Sequence, residues 1–354
     1  MIQYFLIFLL SFLVSYFTMP ILIKFANQAT IFANPNERSC HTQKIPNLGG
    51  IGIFLGMMFS IMLITPNNEF ANLQYLLVTQ MIIFFLGLKD DIFILSARNK
   101  LAIQAICAII LMVLAKAKIT NFYGTLGIYE LDPLESYIFT FITIIGLVNA
   151  FNLIDGINWL AGLIAISTCS FLSFWFITNE FSLFGSIALS IIGSVIAFLI
   201  YNKTPAKIFM GDTGSLLLGL TITYLIIKFI NLNHSSESLN FSFRSAPTIA
   251  ISLFFIPILD TLRVFIIRIS KRKSPFTPDK NHIHHILLKR GYSHIKSSII
   301  LFLVNTICII ICVLLNQISG KIIIPTLFVV TYTAVNLLLI RNFNKTNKSS
   351  ILEN

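Results

Sequence analysis

Charge is what this chain lacks most: Asp, Glu, Lys and Arg are 11% of its 354 residues, less than half of the roughly 25% usual in soluble domains. Acids are scarcer than bases, 14 against 25, and no polar stretch is long enough to build a separate soluble domain. Nucleic-acid binding is excluded on that ground, since there is no basic domain to carry it. The five cysteines, Cys40, Cys107, Cys169, Cys308 and Cys312, show no paired spacing on a loop, which argues against a disulfide framework or a metal knuckle. A repeat of fixed period is also missing, and so is the inverted pair of segments expected of a transporter.

What the chain has is apolar length. Hydrophobic residues are 56% of it, including 33 Phe. A bilayer core of about 30 Å takes about 20 mostly apolar residues per helix. Such segments recur near 2–24, 47–65, 72–88, 101–115, 136–151, 159–177, 181–201, 214–232, 246–267, 298–316 and 322–340, eleven in all. The expected fold is all-α, a polytopic membrane bundle of ten or eleven spans forming one domain over 1–341, with a polar tail at 342–354. The first segment has neither a basic leader nor a small-residue cleavage site and reads as a retained helix.

Lysine and arginine set the orientation. With the N-terminus outside, the inner loops fall near 25–46, 89–100, 152–158, 202–213 and 268–297; only Lys116, Lys118, Lys228, Arg244 and Lys321, 5 of the 25 basic residues, lie on or near the outer side. That bias also favours anionic lipid headgroups as partners of the inner face. Asp90, Asp91, Asp155, Asp212, Asp260 and Asp279 all go to this face, so chemistry is sought there.

The inner loops are read in turn. "NPNERSCHTQKIPNLGG" (34–50) offers His41 and Lys44 either to an anion or simply as a positive anchor. "GLKDDIFIL" (87–95) ends a span with Asp90 and Asp91 side by side. Two acids at a helix C-terminus repel each other and the dipole unless a cation is present, and Mg²⁺ favours one or two carboxylates with phosphate oxygens. Lys100 and Gln104 start the next span within reach. In "NAFNLIDGINWLAGL" (149–163), Asn149, Asn152, Asp155 and Asn158 recur every third residue, which places amides and a carboxyl along one side of a helical or turn segment. "YNKTPAKIFMGDTGSLLLG" (201–219) puts Asp212 at a helix start, as a routine N-cap or as a metal ligand beside a phosphate-attracting terminus. The basic loop 268–297 carries His282, His284 and His285; "HIHH" lacks tetrahedral zinc spacing and fits a polyphosphate better.

Taken together, "NLGG", "DD", "NAFNLIDGIN", "IFMGDTGS" and "SPFTPDKNHIHHILL", in this order from about residue 34 to 295, resemble the polyprenyl-phosphate N-acetylhexosamine-1-phosphate transferases, the family of MraY and WecA. The "PDKNHIHH" loop looks more like the WecA branch than the peptidoglycan enzyme. The resemblance implies transfer of a sugar 1-phosphate from a UDP-N-acetylhexosamine, N-acetylglucosamine by default, to undecaprenyl phosphate, with release of UMP. It implies Mg²⁺, with Mn²⁺ as a substitute, a place in the bacterial inner membrane, and a product feeding a surface polysaccharide such as lipopolysaccharide O-antigen. By the same resemblance Asp212 is a metal ligand and Asp90 and Asp91 an essential pair. Asp91 is then assigned to the metal and Asp90 to the lipid phosphate. Asn152, Asp155, Asn202 and Phe209 match positions near the nucleotide, His282, His284 and His285 the diphosphate side, and Lys100 a phosphate or charge partner. Asn149 and Asn158 complete the polar row.

One departure stands out. The family's Asp-Gly-x-Asp-Gly becomes Asp155-Gly156-Ile157-Asn158-Trp159. Asn loses charge and Trp adds bulk where a sugar or base would lie, which predicts altered donor choice or a neutral variation. The rival class is a transporter or lipid flippase, which would want charges near the midplane and polar groups at both faces. A CDP-alcohol phosphotransferase would want a denser run of Asp, and a prenyltransferase a DDxxD pair that "DDIFI" does not complete.

Overall fold

A computed structural model describes residues 1–29, 45–70, 73–235, 239–274, 281–316, 322–331 and 333. Among these the chain is helical with no strand, and only Asn121 and Glu130 form an isolated bridge. The expected sites His41, Lys44 and Asp279, most of the first inner loop, and the 342–354 tail lie outside the described residues.

The helices in chain order are α1 (Ile2–Ala29), α2 (Gly49–Ile64), the single turn α3 (Asn67–Phe70), α4 (Gln74–Ile92) and α5 (Ala97–Val113). They continue as α6 (Pro133–Ile154), α7 (Leu160–Thr178), α8 (Ser182–Asn202) and α9 (Gly211–Ser235). The last are α10 (Ala246–Leu253), α11 (Phe255–Ser270), the short α12 (Ile283–Lys289) and α13 (His294–Leu314). A further apolar helix covers Ile322–Thr331. Local chemistry sets several starts. Ser96 accepts from the Asn99 amide at 3.3 Å to open α5, Ser293 does the same for Lys296 at α13, and Asp132 with Glu135 forms a capping box ahead of Pro133 at α6.

Among the described residues six helices are long and apolar enough to cross a membrane, or seven with one bent pair. The chain is a multi-pass membrane protein. Each expected span falls on helical residues where they are described, but the count of eleven is not reached by length and composition. α2 and α5 are short, with 16 and 17 residues, and the last turn of α4 carries Lys89, Asp90 and Asp91.

The ninth expected span is not straight: α10 and α11 meet at 74° around Phe254. Pro257 explains the break, because it has no N–H and its ring crowds the carbonyl one turn earlier. The freed backbone groups need partners in an apolar medium. Buried Asn305 of α13 provides them, accepting from Ile256 N at 3.1 Å and donating to the Leu253 carbonyl at 3.1 Å, while Thr168 of α7 donates to that same carbonyl at 2.7 Å. α9 is the most deeply buried span and packs against α4, α6, α2 and α7. Small residues allow this close approach: a side chain on Gly50 would strike Gly214, and one on Gly87 would strike Thr213.

Candidate active site

The lysine-rich end of the bundle gathers four of the expected acids, Asp90, Asp91, Asp155 and Asp212, near the first turn of α9, while Asp260 lies apart on α11. Residues 46–50 pair with the segment before it, Phe209 N to Pro46 O at 2.8 Å, Gly49 N to Phe209 O and Gly50 N to Met210 O, both 2.9 Å. This is what "NLGG" does: it lays a backbone against a backbone.

Asp90 and Asp91 are neighbours in sequence and part company in space. Asp91 caps α9, its Oδ1 accepting from the Asp212 amide at 2.8 Å and its Oδ2 from the Thr213 amide and hydroxyl at 2.9 and 2.6 Å. A carboxylate there is favoured by the free amides and the positive end of the helix dipole. Gly211, at φ +70°, leaves the space those oxygens occupy. Asp90 faces the other way. Its Oδ1 accepts from Leu95 N at 2.7 Å and its Oδ2 meets Lys100 Nζ at 2.5 Å. Lys100 also contacts Asp212 Oδ2 at 2.6 Å, so one ammonium bridges two carboxylates. The assignment of Asp91 to metal and Asp90 to the lipid is not what this geometry favours, because three donors already occupy Asp91.

The polar row on α6 fans out instead of lining one side, since the helix ends at Ile154 and Gly156 breaks the register. Asn152 Nδ2 donates to Asp212 Oδ1 at 3.1 Å and Ser215 Oγ at 2.8 Å. Asn149 turns to α5, where its Nδ2 donates to Gln104 Oε1 at 2.6 Å. Asp155 accepts no hydrogen bond from the described residues. Desolvation, then the charges of Asp212 and Asp91, push its carboxyl up to about 8. Asn158 is buried and donates to Thr204 Oγ1 at 2.9 Å. Asn202, also buried, accepts from Trp159 N at 2.8 Å and donates to the Ile208 carbonyl at 2.9 Å. Both act as scaffold. Trp159, at φ +73°, ties its indole to the Leu199 carbonyl at 2.9 Å, so the bulk expected beside a sugar lies against α8 instead.

The histidine loop is more buried than an open anion site. His282 is 5% exposed and contacts Asp260 Oδ2 through Nδ1 at 2.8 Å. His284 is 1% exposed and packs against Gly156. Burial holds it neutral, pushed down to about 3. The His285 ring lies against His284, centroids 4.3 Å apart and planes tilted by 46°, and is half-buried. Phe209 is half-buried beside the cap of α9.

Two carboxylates, Asp90 and Asp212, thus share one ammonium, with Asp91 and Asp155 close enough to add their charge, and the arrangement is short of positive charge. Among the described residues no group of three or more His, Cys, Asp or Glu forms a ready-made cage. A dicarboxylate with room for phosphate oxygens is nonetheless what Mg²⁺ takes, and Lys100 already holds a cationic nitrogen between Asp90 and Asp212. The residues fit that ion. An apolar groove of about 420 Å³ runs between α6, α9, α10 and α11; none of the acids lines it, and Ala150, its last lining residue on α6, stands five residues before Asp155. Along α6 it extends from Phe139 to Ala150, about 16 Å at the helical rise. Gly146 lines it, and nothing lies within 4 Å of where a side chain there would start. Sequence reading missed Gly146, Asn305 and the roles of Thr213 and Ser215; Asn305, a lone amide in an apolar helix, was the available signal.

The model of glycosyl transferase family 4 matches residues 73–230. A Bacillus subtilis (strain 168) protein named "Probable undecaprenyl-phosphate N-acetylglucosaminyl 1-phosphate transferase" is 32% identical over 319 residues, 90% of this chain and 86% of its own. The undecaprenyl-phosphate alpha-N-acetylglucosaminyl 1-phosphate transferase of Salmonella typhi is 30% identical, covering 80% of this chain and 76% of its own. The decaprenyl-phosphate N-acetylglucosaminephosphotransferase of Mycobacterium leprae is likewise 30% identical, over 82% and 78%. This chain belongs to glycosyl transferase family 4, the polyprenyl-phosphate N-acetylhexosamine-1-phosphate transferases. The transporter and flippase alternative finds no support among these relatives.

Proposed function

We propose that the protein transfers N-acetylglucosamine 1-phosphate from UDP-N-acetylglucosamine to undecaprenyl phosphate at the inner leaflet of the bacterial plasma membrane. The observation that carries this reading is the Asp90–Lys100–Asp212 bridge at the start of α9, in a bundle whose α6 carries an apolar groove up to Ala150, five residues before Asp155. The prenyl chain lies in the groove and its phosphate reaches the acids. A phosphate oxygen of the lipid attacks the sugar-linked phosphorus, the bond to the bridging oxygen breaks, and UMP leaves with that oxygen.

The chain's own groups mainly position and neutralise, as phosphoryl transfer requires. Asp212 and Asp90 would hold Mg²⁺, which when bound neutralises charge developing on the diphosphate. Lys100 is then free to turn to a phosphate. Asn152 fixes one oxygen of Asp212, and Asp91 keeps the start of α9 in place. Asp155, whose carboxyl is pushed up by burial and by the neighbouring acids, stands on the turn after α6 where it can meet a phosphate oxygen. The product would start a lipid-linked surface glycan.

Purified protein, offered undecaprenyl phosphate and a panel of UDP-sugars, tests this by mass spectrometry of the lipid fraction. A lipid diphosphate N-acetylglucosamine that forms with Mg²⁺ or Mn²⁺ and not with EDTA is the expected result. Absence of any lipid diphosphate from folded protein across the panel would refute the reading.

A further inference from the structure

Asp260 sits on α11, away from the acids at α9, and is 1% exposed. A buried carboxylate is costly unless its oxygens are paired. Both are: Oδ2 contacts His282 Nδ1 at 2.8 Å and Oδ1 accepts from Ile283 N at 2.8 Å. One turn further along α11, Arg263 Nη1 donates to the Asn281 carbonyl at 2.6 Å. One side of α11 therefore holds residues 281–283, the entry to α12.

The contact continues toward the acids. The His282 ring stacks on His284 with centroids 5.7 Å apart and planes 15° apart. His284 in turn presses Nε2 against Gly156, where any side chain would collide with it. Gly156 follows Asp155, the carboxyl that no described residue holds by a hydrogen bond. His284 Nδ1 is buried and finds no partner among the described residues, so no hydrogen bond at that nitrogen orients the ring, which packs between His282, His285 and Gly156. The contact of Asp260 Oδ2 with His282 Nδ1 fixes the ring's angle.

We propose that Asp260 is a positioning residue: through His282 and His284 it sets the Asp155–Gly156 turn and so places Asp155 for the reaction. The inference rests on the transferase reading above. Asp260 touches no reacting atom. Other side chains of α11, Ile258, Thr261, Leu262 and Phe265, line the apolar groove, so one helix borders the acceptor chain and braces the Asp155 turn.

The test uses the full-length protein in lipid nanodiscs and measures kcat and both KM values for wild type, Asp260→Asn, His282→Asn and the double variant, with melting temperatures. Wild-type turnover comes first; without it the transferase reading fails, and this inference falls with it before any variant is compared. With turnover, Asp260→Asn is expected to lower kcat 10- to 100-fold and leave KM for undecaprenyl phosphate unchanged. Residues acting in one chain are not additive. The double variant should therefore turn over no more slowly than His282→Asn alone. A merely structural carboxylate would cost as much on the His282→Asn background as on wild type, and that result, or a wild-type kcat for Asp260→Asn, overturns the proposal. If Asp260→Asn does not fold, Gly156→Ala, which displaces His284 directly, carries the test: lost kcat at an unchanged acceptor KM supports the chain of contacts, and wild-type kcat refutes it.

Discussion

The two ends of the bundle use polar side chains differently. At the end opposite the acids, asparagines serve backbone. Asn233 donates to the Phe243 carbonyl and accepts from its amide, both at 2.8 Å, and Asn179 holds Phe241 the same way at 3.0 Å. Each amide acts like a neighbouring strand and closes the loop over the bundle. At the lysine-rich end the carboxylates Asp90 and Asp212 instead answer each other through Lys100. Asparagines paired on both amide atoms mark one end, and a cluster of like charges marks the end where the transfer is proposed to occur. Substitutions should therefore cost activity at one end and stability at the other.

The largest effect is expected at Asp212. Asp212→Asn keeps the shape and removes half of the cation site, and the rate should fall roughly 10²- to 10³-fold, on the scale of losing one electrostatic stabiliser. Its melting temperature should fall less than that of Asn233→Ala, because what it loses is the charge half of a partly exposed contact with Lys100. An equal fall in activity and stability would blur the contrast between the ends.

The converse test is Asn233→Ala. It leaves the Phe243 amide and carbonyl unpaired in a buried place, a loss of about 2 to 4 kcal/mol. Thermal unfolding should shift down while the specific activity of the surviving protein stays at the wild-type level.

A smaller effect is expected in the groove. Gly146→Leu fills open space on α6, so KM for undecaprenyl phosphate should rise about tenfold with KM for the UDP-sugar unchanged. A matching rise in the donor KM would remove the groove from the acceptor's path.

The smallest effect concerns acid stability. His284 stays neutral in the fold, pushed down to about 3, whereas the unfolded chain binds the proton near 6.5. Between those values the unfolded state carries the extra proton, so stability falls as pH drops, by at most about 1.4 kcal/mol per unit for this one group. His284→Gln removes that slope. The difference in melting temperature between pH 7 and pH 5 should be smaller in the variant than in wild type.

Much of the reacting end was legible in sequence, because carboxylates inside apolar runs are costly and need a cation or a partner. The pair Asp90 and Asp91, the start of α9 at Asp212, and Lys100 as charge partner all follow from that. Their division of labour was not legible. Successive residues on a helix point about 100° apart, and only the placement of α9 decides which one caps it. The row from Asn149 to Asn158 looked like one side of a segment until the helix ended at Ile154. Asp260 was visible as an acid at the inner face, but its imidazole lies 22 residues away and the pairing is tertiary. The bend at Phe254 had a local sign in Pro257, whereas the Asn305 and Thr168 side chains that make it tolerable come from other helices.

The most direct measurement follows UMP released from UDP-N-acetylglucosamine by wild type and Asp212→Asn, each with and without undecaprenyl phosphate. Release by wild type that requires the lipid, and falls at least a hundredfold in the variant, is the predicted result. Release that ignores the lipid, or proceeds equally in Asp212→Asn, would contradict a transferase centred on the first turn of α9.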